Sequence, residues 1–350
     1  MCAGIGSSAL GALHPMRVLR KPYLVYLGDA ALKSDCKTAF GLRDWCREDV
    51  LGEWSHPNGR VTLGLPRMSP PEAAAKGAGS IVIGVAPTGG QLPEHWQNDL
   101  EAALEAGLDV VSGLHTRLGT FPRLRAAAER RGLQLIDVRH PTRQYPVATG
   151  RKRSGKRVLT VGTDCALGKK YTALALTRAL QVLGVSATFR ATGQTGILIA
   201  GSGITMDALA ADFVAGAAEI LSPDNQADHW DVIEGQGSLY HPAYAAVTLG
   251  LLHGSQPDAI VLCHDPRRTT IEEYPDYPIP PLAIVIDGYL RAGALTNRAI
   301  RCVGISINSS ELPEADWRAY RVGLERELSL PVCDPLRGDV APLAVALRDI

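Results

Sequence analysis

An excess of charge of either sign is missing from this sequence: 36 Lys and Arg balance 36 Asp and Glu, for a formal net charge of +0 over 350 residues. A nucleic-acid protein carries a basic excess, so the balance argues against that class, although a local site can still take a small anion. Paired cysteines are missing too. The seven, Cys2, Cys36, Cys46, Cys165, Cys263, Cys302 and Cys333, are odd in number and include no CxxC. That argues against a disulfide framework or a zinc cluster and suits a reducing cytoplasm, the expected location. No apolar stretch approaches the ~20 residues of a membrane span, so no membrane partner is expected. The opening MCAGIGSSALGALHPMR lacks the basic start and cleavage site of a secretion signal, and residues 1–20 are read as a disordered or extended segment. Tandem repeats and low-complexity segments are also absent.

What is there alternates. In the first half the apolar runs YLVYLGDA (23–30), SIVIGVAP (80–87), DVVSGLH (109–115) and QLIDVRHP (134–141) read as buried strands. Between them LPEHWQNDLEAALEAG (92–107) and FPRLRAAAERRG (121–132) read as helices, each with Pro near its start and Gly at its stop. The second half repeats the pattern. RVLTVGT, SATFRATG (186–193), WDVIEG (230–235), DAIVLCHD (258–265) and IRCVGISIN (300–308) are expected strands. Residues 168–184, 204–221 and 314–328 are expected helices. Alternation of this kind implies parallel α/β sheets. The basic run RKRSGKR (151–157) reads as a solvated linker, which places a Rossmann-like domain at 21–150 and a second, doubly wound domain at 151–350.

The loop VGTDCALGKKYT (161–172) lies between an expected strand and an expected helix. A helix N-terminus has unpaired N–H groups and attracts anions. Gly162 and Gly168 let the backbone approach a phosphate, and Lys169 reaches it as a point charge. Where an NTPase offers Mg²⁺ a hydroxyl, this loop has Lys170, and an ammonium cannot ligate a cation. Two lysines suit a metal-free polyanion such as the pyrophosphate of coenzyme A. Lys170 either joins that site or is a solvated surface residue.

GTDxxxGK resembles the P-loop of dethiobiotin synthetase, and VIEGQGSLYHP (232–242) resembles the EGAGG segment of that enzyme. The resemblance implies a P-loop NTPase-like fold for the second domain, with Asn308, at the end of GISIN, meeting a base edge. YLGDA, CKTAFGL (36–42), GGQLPEHW (89–96), GTDCALGKKYTA, RATGQTG (190–196), EGQGSLYHP and LPVCDPLRG (330–338) occur in this order. Together, over residues 20–345, they resemble the D-glutamate N-acetyltransferase family of two-domain bacterial proteins. The resemblance implies acetyl transfer from acetyl-CoA to the amino group of D-glutamate. The alternatives are an ATP–Mg²⁺-dependent ligase or kinase and a non-catalytic nucleotide-binding protein.

On this reading the coenzyme phosphates lie on Gly162, Thr163, Asp164, Cys165, Ala166, Gly168, Lys169, Lys170, Tyr171 and Thr172, with Asn308 at the base and no metal. N-acetylation needs a proton acceptor. Glu234 at a strand end comes first, with His241 and Asp164 as alternatives; Asp164 also reads as a loop-builder and His241 as a structural cap. Arg190, Gln194, Thr195, Gln236 and Gly237 are expected at the acceptor, Arg190 gripping a carboxylate or else covering a helix. Cys165 suggests a covalent route, or simply a small buried side chain. Asp29, Lys37 and GGQLPEHW are candidates for the far wall of an interdomain cleft, and His264 and Asp265 for a structural turn. The expected partners are a small amino acid and acetyl-CoA, in a homo-oligomer.

Overall fold

The computed structural model describes residues 19–85, 90–141, 144–338 and 340–350. Most of the extension expected at 1–20 lies outside these, as does Gly89. The chain builds two all-parallel sheets in succession. The first contains β1 (Tyr23–Tyr26), β2 (Val50–Trp54), β3 (Ser80–Ile83), β4 (Asp109–Ser112) and β5 (Leu135–Asp137), in the order β2-β1-β3-β4-β5. Its helices are α1 (Lys37–Trp45), α2 (Pro70–Ala75), α3 (Gln97–Glu105) and α4 (Pro122–Arg131). Every residue of β1, β3 and β4 is buried, as in strands covered on both faces. α4 starts at Pro122 and ends at Gly132, whose φ of 65° puts it in the left-handed region that stops a helix.

The second sheet contains β6 (Lys156–Gly162), β7 (Ala187–Arg190), β8 (Trp230–Ile233), β9 (Ala259–His264), β12 (Arg301–Ile307) and β13 (Val332–Cys333). A hairpin, β10 (Thr270–Ile271) and β11 (Tyr274–Pro278), follows β9. The helices are α5 (Lys169–Val182), α6 (Gln194–Ala200), α7 (Ala211–Leu221), α8 (Ala245–Ser255), α9 (Leu282–Ala294), α10 (Glu314–Leu328) and α11 (Ala341–Arg348). The strand order is β13-β12-β9-β6-β8-β7. From β6 the chain crosses to β7 on one side, and from β9 to β12 on the other. The crevice beyond the carboxyl ends of β6 and β9 is therefore the switch point where such sheets bind ligands.

Three expectations change. β2 has no apolar signature because Glu53 sits fully buried in it, its carboxylate accepting bonds from Thr62 Oγ1 (2.5 Å) and Leu63 N (2.6 Å). The helix expected over 204–221 is interrupted, with a 3₁₀ turn at Met206–Ala208 and α7 beginning at Ala211. Ile204 N and Met206 N instead donate to Ala191 O and Thr192 O, and Thr205 Oγ1 to Val138 O (2.5 Å), so tertiary bonds override local propensity. The basic run is not a solvated linker. Arg153 and Arg157 are buried, and their guanidinium groups donate to backbone carbonyls of Ser222, Gly254, Ser154 and Pro223.

α6 locks the halves together. Leu198 and Ile199 pack into the core of the first sheet, and Tyr23 Oη donates to Leu198 O (3.2 Å). At its start Thr195 Oγ1 lies 3.0 Å from Thr38 Oγ1 of α1. The carboxyl end of β7 thus meets α1 of the first domain.

Candidate functional site

The strand–loop–helix turn forms where expected. β6 ends at Gly162, Ala166 (φ 53°) and Gly168 (φ 102°) turn the chain through left-handed conformations, and α5 begins at Lys169. A Cβ on Gly162 would stand 2.9 Å from Asp164 O and 3.0 Å from Lys169 Nζ, inside the cradle. Lys169 is buried, donates to Asp164 O (2.7 Å), and its pKa is pushed down by burial. Beside it Gly235 must be glycine, since a Cβ there would stand 1.6 Å from Thr160 O.

Asp164 is fully buried and fully engaged. Oδ1 accepts from Cys165 N (2.6 Å), while Oδ2 accepts from Arg268 Nη1 (2.8 Å) and Glu272 N (2.9 Å). It therefore pins the loop to the hairpin segment, in keeping with loop-building and not with proton abstraction. Thr163 Oγ1 is 3.0 Å from Nδ1 of buried His264 across the switch point. Thr172 departs from its expected place. It lies beneath the loop, its hydroxyl 2.7 Å from Ser306 Oγ and donating to Gly168 O, so it faces the sheet and not a phosphate.

Next to the loop a cavity of about 170 Å³ runs between Gly168 and Tyr171 on one side and Asn308, Pro335 and Leu336 on the other. Asn308 lines it, with Oδ1 accepting from Ser310 Oγ (2.8 Å) and Nδ2 3.4 Å from Asp265 Oδ2. Tyr171 also reaches the first domain, its ring 5.7 Å from that of Trp45.

At the end of β8, Glu234 is buried and its pKa is raised by that burial. Oε2 accepts from Thr192 N (2.9 Å) and Gly193 N (3.1 Å); Oε1 has no hydrogen-bond donor among the described residues. The opposing charges are Lys170 and Lys169, neither within ion-pair distance. Gln236 Nε2 donates to Thr192 Oγ1 (3.0 Å), beside the same carboxylate. Gln194 opens α6, with Oε1 buried and unbonded against Gly113. Gly237 instead closes the turn into α8, where a Cβ would stand 2.4 Å from Tyr244 O.

Arg190, expected to grip the acceptor, turns Nε to buried Asp231 (2.7 Å) on the neighbouring strand. His241 is buried as well. Its Nδ1 accepts from Ala243 N (3.0 Å) and Tyr244 N (3.2 Å), which leaves the proton of the neutral ring on Nε2, 3.9 Å from Asp164 Oδ1. That is the geometry of a cap that can donate, not of a base. Asp164, Cys165 and His241 place ligand atoms within 4.8 Å of one another. With Nε2 protonated and Asp164 held by Arg268, this set does not fit a cation. The half-buried Cys165 thiol has its pKa raised by burial, the opposite of an activated nucleophile.

Sequence reasoning missed Arg268 and Tyr289, whose hydroxyl donates to Gly162 O (2.8 Å) and props the loop from beneath. Arg268 could have been found from its place just after a strand end at the switch point; nothing local marks Tyr289.

Residues 146–344 match the family described as Domain of unknown function (DUF1611_C) P-loop domain, and residues 52–141 match its partner, DUF1611_N Rossmann-like domain. A Tritonibacter scottomollicae protein named D-glutamate N-acetyltransferase is 48% identical over 333 residues, 95% of this chain and 100% of the relative. A Pseudoalteromonas sp. protein of the same name is 44% identical over 329 residues, 94% and 99% of the two chains. The crystal structure of a DUF1611 family protein from Anabaena variabilis superposes with a TM-score of 0.81 at 32% identity, covering 94% of this chain and all of that one.

Proposed function

The chain belongs to the DUF1611 family, and from that premise we propose that it is an N-acetyltransferase that transfers an acetyl group from acetyl-CoA to the amino group of D-glutamate. The acceptor comes from the names of the two full-length relatives. The observation that carries the donor is a phosphate loop with Lys169 but no hydroxyl for a metal: Lys170 replaces that group, and Thr172 is engaged beneath the loop with Ser306. Such a donor set suits a polyphosphate held without Mg²⁺ and disfavours ATP–Mg²⁺. The loop and Lys169 hold the phosphates, while the cavity beside Tyr171 and Asn308 takes the nucleoside end.

Glu234 accepts the proton that the substrate ammonium must lose. Its raised pKa gives it proton affinity, and the unbonded Oε1 is the receiving atom. The amine nitrogen forms a bond to the thioester carbonyl carbon. The C–S bond then breaks, and the sulfur leaves with a proton as the coenzyme thiol. The polar ends of β7 and β8, with Gln194, Thr195 and Gln236, face the acceptor. The reaction places the chain in D-amino-acid catabolism; a homo-oligomer in the cytoplasm completes the proposal.

The test supplies purified protein with D-glutamate and either acetyl-CoA or ATP–Mg²⁺, and follows thiol and ADP. D-glutamate-dependent thiol release is expected, with Lys169→Ala raising KM for acetyl-CoA about tenfold or more through loss of a charge-assisted bond. ADP formation without thiol release overturns the proposal.

A further inference from the structure

Lys169 and Lys170 are neighbours in sequence but do not share a site. Successive helical residues diverge by about 100° around the axis. Lys169 folds back over the loop to Asp164 O. Lys170 leaves the loop and points at the other domain, where its Nζ stands 3.7 Å from the position a Cβ would take on Gly41 of α1. The same point lies 3.0 Å from Thr195 Cγ2. No carboxylate of the described residues comes within ion-pair distance of this ammonium. The ammonium lies over the Tyr171 ring, 4.8 Å from its centroid. Burial pushes its pKa down, Glu234 is the carboxylate that acts on it, and Lys37 is the cation.

The other wall is built by α1. Lys37 and Gly41 are four residues apart and share a helix face. Between them in the first turn, Thr38 reaches across to Thr195. The seam therefore brings together Lys37 and Thr38 from the first domain and Lys170, Thr195 and Glu234 from the second. The two lysines repel each other, and with Glu234 they leave one net positive charge between the walls. A half-buried ammonium without a counter-ion within ion-pair distance is costly, so the arrangement asks for an anion. An amino acid with two carboxylates and one ammonium supplies one net negative charge.

We infer that Lys170 and Lys37, one from each domain, bind the two carboxylates of the acceptor amino acid and present its ammonium to Glu234. This rests on the proposed acetyl transfer and moves Lys170 from the phosphate site to the acceptor site. A Cβ on Gly41 would press on Thr195 Cγ2, so its absence lets α1 and α6 meet closely beside the Lys170 ammonium. The site is incomplete in either domain alone.

The experiment measures D-glutamate binding by titration calorimetry in the absence of acetyl-CoA, and KM for each substrate, in wild type, Lys170→Met and Lys37→Met. Wild type is expected to bind D-glutamate. Each variant should weaken binding and raise KM for D-glutamate about tenfold or more, with KM for acetyl-CoA nearly unchanged. Melting curves check the fold; Lys37 is exposed, so its variant serves if Lys170→Met does not fold. Wild-type binding without turnover would sink the proposed reaction but leave this site standing. Absence of D-glutamate binding, equal binding in wild type and variants, or a rise confined to KM for acetyl-CoA would overturn the site.

Discussion

Replacing Glu234 by Gln separates chemistry from architecture at one atom. Oε2 holds two backbone donors, Thr192 N at 2.9 Å and Gly193 N at 3.1 Å. The Gln carbonyl oxygen can accept both, and its NH₂ then takes the place of Oε1, which has no donor to clash with. The fold should persist. What disappears is the proton acceptor, so kcat should fall about 10²- to 10⁴-fold, the range for a general base; that is about 3–5 kcal/mol on the barrier. Glu234→Ala is the contrast. It strands the buried Thr192 N–H, at about 1–3 kcal/mol, and the half-buried Gly193 N–H, so it should melt below wild type while Glu234→Gln does not. The pH profile gives a second readout. Burial raises the pKa of Glu234, with Lys170 and Lys169 partly opposing, and activity requires the ionised form. The acid limb of wild-type kcat should therefore lie above the ordinary glutamate value of about 4.3, activity falling as pH falls through it. Thiol release at saturating substrates from acid to neutral pH is the assay. A Glu234→Gln enzyme within about tenfold of wild-type kcat would refute the assignment.

Cys165→Ser should keep most of the activity, and intact-protein mass spectrometry after acetyl-CoA alone should find no acetyl adduct; an acetylated Cys165 would restore the covalent route. The buried His264, bonded to Thr163, has its pKa lowered to about 4 from its ordinary 6.5, with Asp265 only partly opposing burial. The unfolded chain binds this proton first, so stability is full above about 6.5 and is lost as pH falls towards about 4. That loss reaches about 3 kcal/mol. Urea midpoints at pH 7 and pH 4.5 should differ less in His264→Asn than in wild type; equal differences would exclude His264 as the source.

The loop from Gly162 to Lys169 was legible because its parts are contiguous: a buried strand, glycines that permit left-handed backbone, and a lysine at a helix start. Glu234 was legible for a similar reason, as a charged residue ending an apolar run. α8 went unread because it is apolar on every side, so no stripe marks one face. β2 was hidden by Glu53, whose partners lie nine and ten residues further on.

Side-chain direction was the harder matter. Arg190 stands at a strand end like a ligand-gripping arginine, but Asp231 on the adjacent strand takes its Nε. His241 sits where a base could, but its lone pair belongs to two backbone N–H groups. Short-range pattern determined the α/β class, the succession of two sheets and the glycine-bearing loop before α5, because those depend on backbone conformation and local periodicity. Only the tertiary structure decided that Lys170 turns from the loop to meet α1, because its partners there come from another domain, more than a hundred residues away along the chain.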